Sequence, residues 1–474
     1  MTKSPAPDAS GAPVVLWFRN DLRLADQPAV AAATASGRPV LPVYVLDDAA
    51  AGHWAQGGAS RWWLHHSLAA LAASLSARGA TLVLRRGRAE AELADLVRAT
   101  GATEVITGRP PEPWARQQDQ DVARALKKLG ASLSRHRTTL LFDADEIRTG
   151  TGGFYGVYTP FSRACFARGA PPMPTPAPKR LNGFAPPPGD RLESWRLLPT
   201  KPDWSGGLTE TWTPGEAGAA KRLAAFAAAG HVQRYDARRN IPGEPGTSML
   251  SPHLHFGEIS PAQVWHAAVH AAQASGDGLE TFLKEILWRE FAAYLLWHHP
   301  SLPEAPMKPE FAAMPWRDDD AGLRAWQRGR TGVPIVDAGM RQLWHTGWMH
   351  NRVRMIVASF LVKHLLVPWQ RGQDWFWDTL VDADLASNSA SWQWVAGSGA
   401  DAAPFFRIFN PVLQGLKFDP DGTYVRRWVP ELRDVPDAHV HAPWDAGGPA
   451  PIVDLAAGRA RALAAYKQIS KTAA

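Results

Sequence analysis

Two pairs of residues combine a polar group with a large, polarisable side chain at helical spacing. Glu285 and Trp288 are three residues apart, and Asn351 and Met355 are four apart, so each pair shares one face of a helix. If the two faces meet, the pocket between them can stack flat rings such as a pair of pyrimidines on Trp288. Met355 would cushion these rings, and Glu285 and Asn351 would hydrogen-bond their edges.

Three charged residues lie in apolar surroundings. Arg354, Asp382 and Asp384 are flanked by residues that should be buried, and buried charges persist only when they are paired. The polar edge of a cofactor ring would be one reason to retain them. The hydroxyls of Thr247 and Ser251, by contrast, are explained about equally well by helix capping.

Tryptophan is abundant in this chain, with 22 residues, so core packing is the default explanation for any one of them. Trp392 and Trp394 are two residues apart, which on a helix separates their directions by about 200°. The two indoles therefore cannot line the same pocket.

Several other kinds of site are excluded or disfavoured. The sequence has no GxxxxGK[ST] phosphate loop, no HExxH zinc motif and no glycine fingerprint between a strand and a helix. Cys165 is the only cysteine, and the 16 histidines lack ligand spacing, so we expect no disulfide and no metal site. The formal charge of +6 and the isoelectric point of about 9.4 suit a polyanionic partner but do not require one.

The elements that must position these residues fall into two domains. Residues 12–143 alternate short apolar runs (14–18, 40–46, 81–84 and 104–107) with alanine-rich helical patterns, which predicts a doubly wound parallel α/β sheet. Residues 144–216 are rich in glycine and proline and predict a long connector. Residues 217–474 show helical periodicity without a convincing strand. The expected fold class is therefore α/β followed by an all-α domain.

No segment has the character of a membrane span or an export signal. Apolar runs stay well below the roughly 20 residues that cross a bilayer, and residues 1–13 lack the apolar core of a signal peptide. We therefore expect a cytoplasmic protein without membrane contact.

Four segments of the helical half resemble the photolyase/cryptochrome family. They are GTSMLS (246–251), EILWREF (285–291), WMHNRVRM (348–355), and 382–411 with DLASNSASWQW and FRIFNP. The segments VLWFRNDLRLADQPAV (15–30) and SRWWLHHSLAAL (60–71) resemble the same family. The resemblance implies an N-terminal antenna domain, a linker, and a helical domain that holds FAD. It also implies that the reduced flavin uses light to split cyclobutane pyrimidine dimers in UV-damaged DNA.

The resemblance assigns flavin contacts residue by residue. The phosphates and ribose would be held by Tyr235, Thr247, Ser248, Met249, Leu250 and Ser251. The flavin ring would be surrounded by Glu285, Arg354, Asp382, Asp384 and Asn388. Asn388 would face N5 of the flavin and favour the reduced form.

The same resemblance separates the tryptophans and suggests DNA contacts. Trp394 resembles a tryptophan that lines the lesion pocket, whereas Trp392, Trp369 and Trp316 resemble an electron-transfer chain that begins next to the flavin. Arg239, Arg352 and Arg407 match basic positions around the pocket mouth, where they would neutralise DNA phosphates. For Lys417, a solvated surface position is equally consistent.

The choice of lesion and of function within the family rests on the pocket. Relatives that repair (6-4) photoproducts carry histidines where proton transfer is needed, and Asn351 and Met355 cannot act as acid or base. The main alternative is a cryptochrome-type photoreceptor without repair activity. The complete set of pocket residues and the lack of a long tail after the predicted final helix (456–470) weigh against it. A flavoprotein of dark redox metabolism would need a nicotinamide site, and none is recognisable.

The antenna chromophore is left open between methenyltetrahydrofolate, 8-hydroxy-5-deazaflavin and FMN. The segment 112–116 departs from the folate-site pattern, and Trp62 and Trp63 are candidates for lining the site, although core packing explains at least one of them. A crevice at the sheet edge would suit an aromatic ligand. By resemblance we also expect a monomer.

Overall fold

A five-stranded parallel sheet organises the first domain of the computed structural model, which describes residues 11–273, 276–402 and 406–472. Its strands are β1 (Val14–Phe18), β2 (Val40–Leu46), β3 (Val83–Arg86), β4 (Glu104–Gly108) and β5 (Ser132–His136). The strand order is β3-β2-β1-β4-β5, and every neighbouring pair is parallel. The predicted sheet is confirmed, with β5 as a further edge strand whose sequence SLSRH lacks an apolar run.

Helices cover both faces of this sheet. They are α1 (Pro28–Ala35), α2 (Asp48–Ala51), α3 (Gly58–Ser76), α4 (Ala89–Thr100) and α5 (Pro113–Lys127). Successive strand residues point to opposite faces, so Val14, Leu16 and Phe18 of β1 pack in one core with α1 and α3. Val15 and Trp17 pack in the other core, with α4 and α5. This two-sided burial is the reason that β1 reads as a continuous apolar run.

The connector contains helices that its composition did not predict. They are α6 (Tyr158–Phe166) and α7 (Gly206–Thr211). In α6, Tyr158, Phe161 and Cys165 share one face and are buried against the helical domain. The helix is too short, and its flanks too rich in glycine, for this periodicity to be noticed in the sequence. The domain limits at 143 and 216 stay predictions.

The rest of the chain is helical, as expected, and its described residues form no strand. Its first helices are α8 (Glu216–Ala228), α9 (Tyr235–Arg238), α10 (Ser251–His255), α11 (Pro261–Ala271) and α12 (Asp277–His298). They are followed by α13 (Asp320–Gln327), α14 (Pro334–Thr346), α15 (Asn351–Ser359), α16 (Trp369–Thr379) and α17 (Leu385–Ala396). The last are α18 (Pro411–Phe418), α19 (Thr423–Trp428) and α20 (Leu455–Thr472). In the described part of the chain, no helix is both long enough and apolar enough to cross a membrane.

Local sequence fixes where the important helices begin. Asp384 caps α17 by accepting a hydrogen bond from the amide of Ser387 at 2.7 Å. Ser260 and Gln263 form a reciprocal capping box at α11. Helix α12 lies at the centre of the domain, where it packs against α6, α9, α11 and α17.

A buried network around Glu258 ties the two domains together. The Glu258 side chain accepts hydrogen bonds from the indole of Trp63 in α3 at 2.9 Å and from the amide of Gly215 in the connector at 2.7 Å. Its other oxygen lies 2.5 Å from Nδ1 of His253 in α10. Helix α10 is therefore tied to helix α3 of the first domain.

Glu290 in α12 should make stability depend on pH. It is 3% exposed and accepts hydrogen bonds from the amides of Leu141 and Phe142. Burial raises the pKa of Glu290 from 4.5 to about 7. The folded state then binds the proton more tightly than the unfolded state. Stability from this group is therefore present below pH 4.5 and is lost as pH rises to about 7.

We expect this loss to reach about 3 kcal/mol in the free energy of unfolding. Glu290→Gln removes this titration. The free energy of unfolding of the variant and the wild type is measured with urea at pH 5 and at pH 8. The difference between the two proteins should shift in favour of the variant at the higher pH. Parallel stability profiles for the two proteins would contradict the assignment.

Candidate functional site

A tight loop places the predicted phosphate-binding residues before helix α10. A Cβ on Gly246 would lie 2.6 Å from the carbonyl oxygen of Arg238, so only glycine fits there. Met249 has a φ of +51°, which turns the chain into the helix. Within the described residues, the Thr247 hydroxyl makes no hydrogen bond. The loop therefore offers a free hydroxyl and backbone groups to a ligand.

The loop side chains differ in what they can contact. Leu250 is 1% exposed and packs in the helical core. The sulfur of Met249 lies 3.7 Å from Nη1 of Arg222, and its side chain packs against the core of the first domain. These two residues can therefore offer mainly their backbone. Ser251 begins α10, and its hydroxyl accepts a hydrogen bond from the indole of Trp348 at 3.1 Å. Tyr235 is buried against the rings of Phe226 and Phe282.

Arg354 and Asp382 are paired, as buried charges must be. Nη2 of Arg354 donates to both carboxylate oxygens of Asp382, at 3.0 and 2.8 Å, and its Nε donates to the carbonyl of Met349 at 2.7 Å. The Asp382 side chain is 3% exposed and that of Arg354 is 25% exposed. The arginine therefore bridges the buried carboxylate and the more open side of the site.

Asp384 and Asn388 lie one turn apart at the start of α17. Burial alone would raise the pKa of Asp384, but the neighbouring His255, the charge of Arg289 and the Ser387 amide together hold this pKa well below its usual range. Asp384 is thus a carboxylate at neutral pH. Asn388 is 8% exposed and donates its amide hydrogen to the carbonyl of Gln373 at 3.1 Å. Among the described residues, no group donates to its amide oxygen, which can therefore accept a hydrogen bond from a ligand.

The two predicted pocket faces meet through a pair of arginines. The guanidinium of Arg239 is ion-paired and hydrogen-bonded to Glu285. Arg352 donates to Asn240 at 2.7 Å and lies 3.6 Å from the sulfur of Met355. The charges of both arginines act on Glu285. Burial raises the pKa of Glu285, although Arg239 opposes this effect.

Two of the predicted pocket tryptophans are partly exposed. Trp288 is 37% exposed, and its ring stacks on Tyr158 of the connector helix α6. Trp394 is half-buried, and the guanidinium of the exposed Arg407 lies 5.4 Å from its ring centre. Asn351 is exposed at the first turn of α15. The predicted pocket residues therefore reach solvent.

His350 precedes Asn351, but its side chain caps helix α15. Its Nδ1 accepts a hydrogen bond from the Arg352 amide at 3.2 Å and so caps α15. Burial and the nearby Arg352 lower the pKa of His350 to about 4, so the imidazole is neutral at physiological pH.

The predicted electron-transfer tryptophans run from the core to the surface. Trp392 and Trp369 are each 2% exposed, whereas Trp316 is half-buried. Trp392 packs on Gly372 in α16, one turn from Trp369, where a Cβ would lie 2.1 Å from the indole. Trp326 also contacts Trp392, with ring centres 6.2 Å apart. Trp326 is fully buried and lies in the same hydrophobic core as Trp392, so this is a packing contact.

A crevice opens at the carboxyl ends of β1, β2 and β4, where the strand order switches direction. Its aromatic lining consists of Trp17, Tyr44, Trp54, Trp114 and Trp377. Glu112 also lines it. Burial raises the pKa of the Glu112 carboxyl, which accepts a hydrogen bond from its own backbone amide. The crevice reaches Asp384, so it adjoins the predicted flavin site.

The suggestion that Trp62 and Trp63 line this crevice is wrong. Both are buried in the core between the sheet and α3, at 2% and 0% exposure. The Trp63 indole donates a hydrogen bond to Glu258, and its ring stacks on Phe256. Within segment 112–116, the residues that line the crevice are Glu112, Trp114 and Ala115. Among the described residues, no group of His, Cys, Asp and Glu is arranged to hold a metal ion.

Known proteins share both domains of this architecture. The family model described as DNA photolyase matches residues 14–179, and that described as FAD binding domain of DNA photolyase matches residues 282–468. The deoxyribodipyrimidine photo-lyase of Agrobacterium fabrum is 50% identical over 480 residues, covering 97% of this chain and 99% of the relative. Cryptochrome-1 of Arabidopsis thaliana is 36% identical over 498 residues, covering 99% and 72%. The crystal structure of a class III photolyase from Agrobacterium tumefaciens aligns with a TM-score of 0.94 and 49% identity, covering 99% and 100%.

Proposed function

The chain belongs to the DNA photolyase/cryptochrome family, and we propose that it uses light to split cyclobutane pyrimidine dimers in UV-damaged DNA. The observation that carries the proposal is the partly exposed Trp288 indole, which lies one helical turn from the Glu285–Arg239 ion pair. A ligand entering here meets a stacking surface, a carboxyl group and two guanidinium groups. This is the chemistry that an extrahelical pyrimidine pair and its phosphates require.

The helical domain is an FAD-binding domain, and its residues fit that cofactor. We assign Tyr235, Thr247, Ser248, Ser251 and the backbone of Met249 and Leu250 to the phosphate and ribose side. Arg354, Asp382 and Asp384 supply a cation and two carboxylates for the polar edge of the ring. The free oxygen of Asn388 can accept a hydrogen at flavin N5. When bound, reduced and excited by light, FAD supplies the electron that opens the dimer and then returns.

The pocket residues orient the dimer. Trp288 and Trp394 offer stacking surfaces, and Met355 fills the space beside Arg352. Glu285, whose pKa burial raises, can donate a hydrogen bond to a pyrimidine carbonyl when protonated, and Asn351 can bond another ring edge. We assign Arg239, Arg352 and Arg407 to the neutralisation of DNA phosphates. For Lys417, which is exposed, a solvated surface position is equally consistent.

The pocket favours cyclobutane dimers over (6-4) photoproducts. Asn351 and Met355 cannot transfer protons, and the neutral His350 is occupied in capping α15. The test is a pair of oligonucleotide duplexes that differ only in the lesion, illuminated with the photoreduced protein. We expect repair of the thymine dimer alone. Repair of neither lesion by protein with bound FAD would favour the photoreceptor function, the alternative that the 36% identity to a cryptochrome sustains.

We also propose that the crevice at the sheet edge holds an antenna chromophore. Its aromatic rings can stack on a flat ligand, and its contact with Asp384 would place that ligand next to the flavin. Glu112 in the crevice wall can hydrogen-bond to such a ligand. The candidates are methenyltetrahydrofolate, 8-hydroxy-5-deazaflavin and FMN. We propose further that the protein is a cytoplasmic monomer.

Trp392 should control photoreduction of the flavin but not repair itself. Trp392→Phe removes the oxidisable indole nearest to Asn388 on α17, so light-driven reduction of oxidised FAD should slow at least about tenfold. After chemical reduction with dithionite, repair should approach the wild-type rate. Oxidised flavins absorb at about 450 nm, so the loss of this absorbance under illumination measures the rate of photoreduction.

Trp265→Phe is the matched control, because Trp265 is a buried tryptophan that packs on Phe166 away from α17. It should photoreduce normally. Equal photoreduction rates for Trp392→Phe and the control would remove Trp392 from the pathway.

A further inference from the structure

We infer that Tyr158, in the connector between the two domains, is a positioning residue that holds Trp288 ready to stack on the damaged bases. The inference rests on the proposed function, because it concerns the rear wall of the lesion pocket. Helix α6 thereby becomes part of the substrate site, although it belongs to neither predicted domain.

The stack is closely parallel and one-sided. The ring centres of Tyr158 and Trp288 are 3.6 Å apart, and their planes differ by 5°. Tyr158 is 6% exposed, whereas Trp288 is 37% exposed. One face of the indole is therefore covered by the phenol ring, and the rest of the exposed indole is available to a ligand.

Neighbouring groups impose this arrangement. Free aromatic pairs prefer offset or edge-on contacts with centres roughly 4.5–7 Å apart, so a nearly eclipsed stack needs outside support. The Tyr158 hydroxyl donates to the carbonyl of Lys284 at 2.6 Å, one turn before Trp288 on α12. Phe291 touches both rings edge-on, at 5.8 and 6.0 Å between centres. Tyr158 thus spans the helical turn that carries the indole.

Helix α6 is itself anchored, so the support is rigid. Phe161 packs against Phe291 and Tyr294 of α12, with ring centres 5.1 and 4.9 Å apart. The Tyr294 hydroxyl also accepts a hydrogen bond from the amide of Tyr155 at 3.0 Å. The connector therefore cannot shift without disturbing the face of α12 that carries Trp288.

The functional consequence is preorganisation. A tryptophan without a rear contact samples several rotamers, and binding must then select one of them. Loss of the Tyr158 ring should therefore weaken dimer binding by about tenfold. Repair at saturating DNA should change much less, because the flavin and the polar groups of the pocket are untouched.

The test is a double-mutant cycle on binding of a thymine-dimer oligonucleotide to the FAD-loaded protein in the dark. Tyr158→Leu should raise the Kd about tenfold, and Tyr158→Phe, which keeps the ring, should stay within about threefold of the wild type. In a Trp288→Ala background, Tyr158→Leu should have no further effect on the Kd. Tyr158→Met fills a similar volume without a ring and replaces the leucine variant if that protein fails to fold.

The outcomes separate the possible roles. An equal loss of affinity from Tyr158→Leu in both backgrounds would show that Tyr158 acts on general structure and would overturn the inference. Unchanged affinity in the wild-type background would overturn it as well. Wild-type protein that bound dimer and undamaged oligonucleotides equally would instead overturn the proposed function itself.

Discussion

Glu285→Ala should lower the rate of dimer repair at saturating DNA by at least about tenfold while FAD stays bound. The substitution removes the carboxyl that can hydrogen-bond a pyrimidine carbonyl. It also leaves Arg239, whose side chain is 18% exposed, without its ion-pair partner. Both effects act on the dimer during electron transfer, so the loss should show in the maximal rate. Single-turnover repair under continuous light measures it.

Two controls make this prediction specific. Glu285→Gln keeps a neutral hydrogen-bond donor and should retain more activity than the alanine variant. Glu280→Ala removes a carboxylate from the same helix, but Glu280 is 62% exposed and pairs only with Lys284, so repair should be unaffected. A fully active Glu285→Ala protein would remove this carboxyl from the reaction.

Asp382→Ala should yield protein that purifies with less than about a tenth of the normal FAD and unfolds at a lower temperature. The carboxylate is 3% exposed and accepts two hydrogen bonds from Arg354. Its removal leaves the Arg354 guanidinium without a countercharge in the wall of the proposed flavin site. Breaking one partner of such a pair costs several kcal/mol, on the order of 3–5. FAD content by absorbance and Tm by calorimetry measure the two effects.

A surface pair with the same geometry provides the control. Nη1 of Arg341 donates to both oxygens of Glu431, at 2.9 and 2.8 Å, but the Glu431 side chain is 64% exposed. Glu431→Ala should therefore change Tm little and leave FAD content at the wild-type level. Normal FAD content in the Asp382 variant would place the flavin elsewhere.

Periodicity in the sequence was sufficient to predict the architecture. The apolar runs of β1 and β2 are buried on both sides, so they read as strands without any tertiary information. Strand β5 was not predicted, because SLSRH is an edge strand with mostly polar side chains. Helix α6 was not predicted, because its packing face consists of only three residues, Tyr158, Phe161 and Cys165, between glycine-rich flanks. Only the partner surface on α12 explains why that segment is helical.

Sequence reasoning could not foresee how the proposed site residues pair with one another. Buried charge required partners for Arg354 and Asp382, and the structure joins them to each other. The contact between Arg239 and Glu285 could not be foreseen, because it depends on how α9 packs on α12. Helix geometry correctly separated Trp392, which is buried, from Trp394, which is half-exposed. Helix geometry could not distinguish a crevice from a core. Trp62 and Trp63 were therefore candidates for lining the crevice, whereas both lie in the core.

Repair itself tests the central claim most directly. The purified protein, with FAD fully reduced, is mixed with an excess of an oligonucleotide carrying one thymine dimer, and restored thymines are counted in light and in darkness. We predict many dimers restored per protein molecule under blue light and none in the dark. Bound, reduced FAD with no dimer restored in the light would contradict the account and leave photoreception as the function.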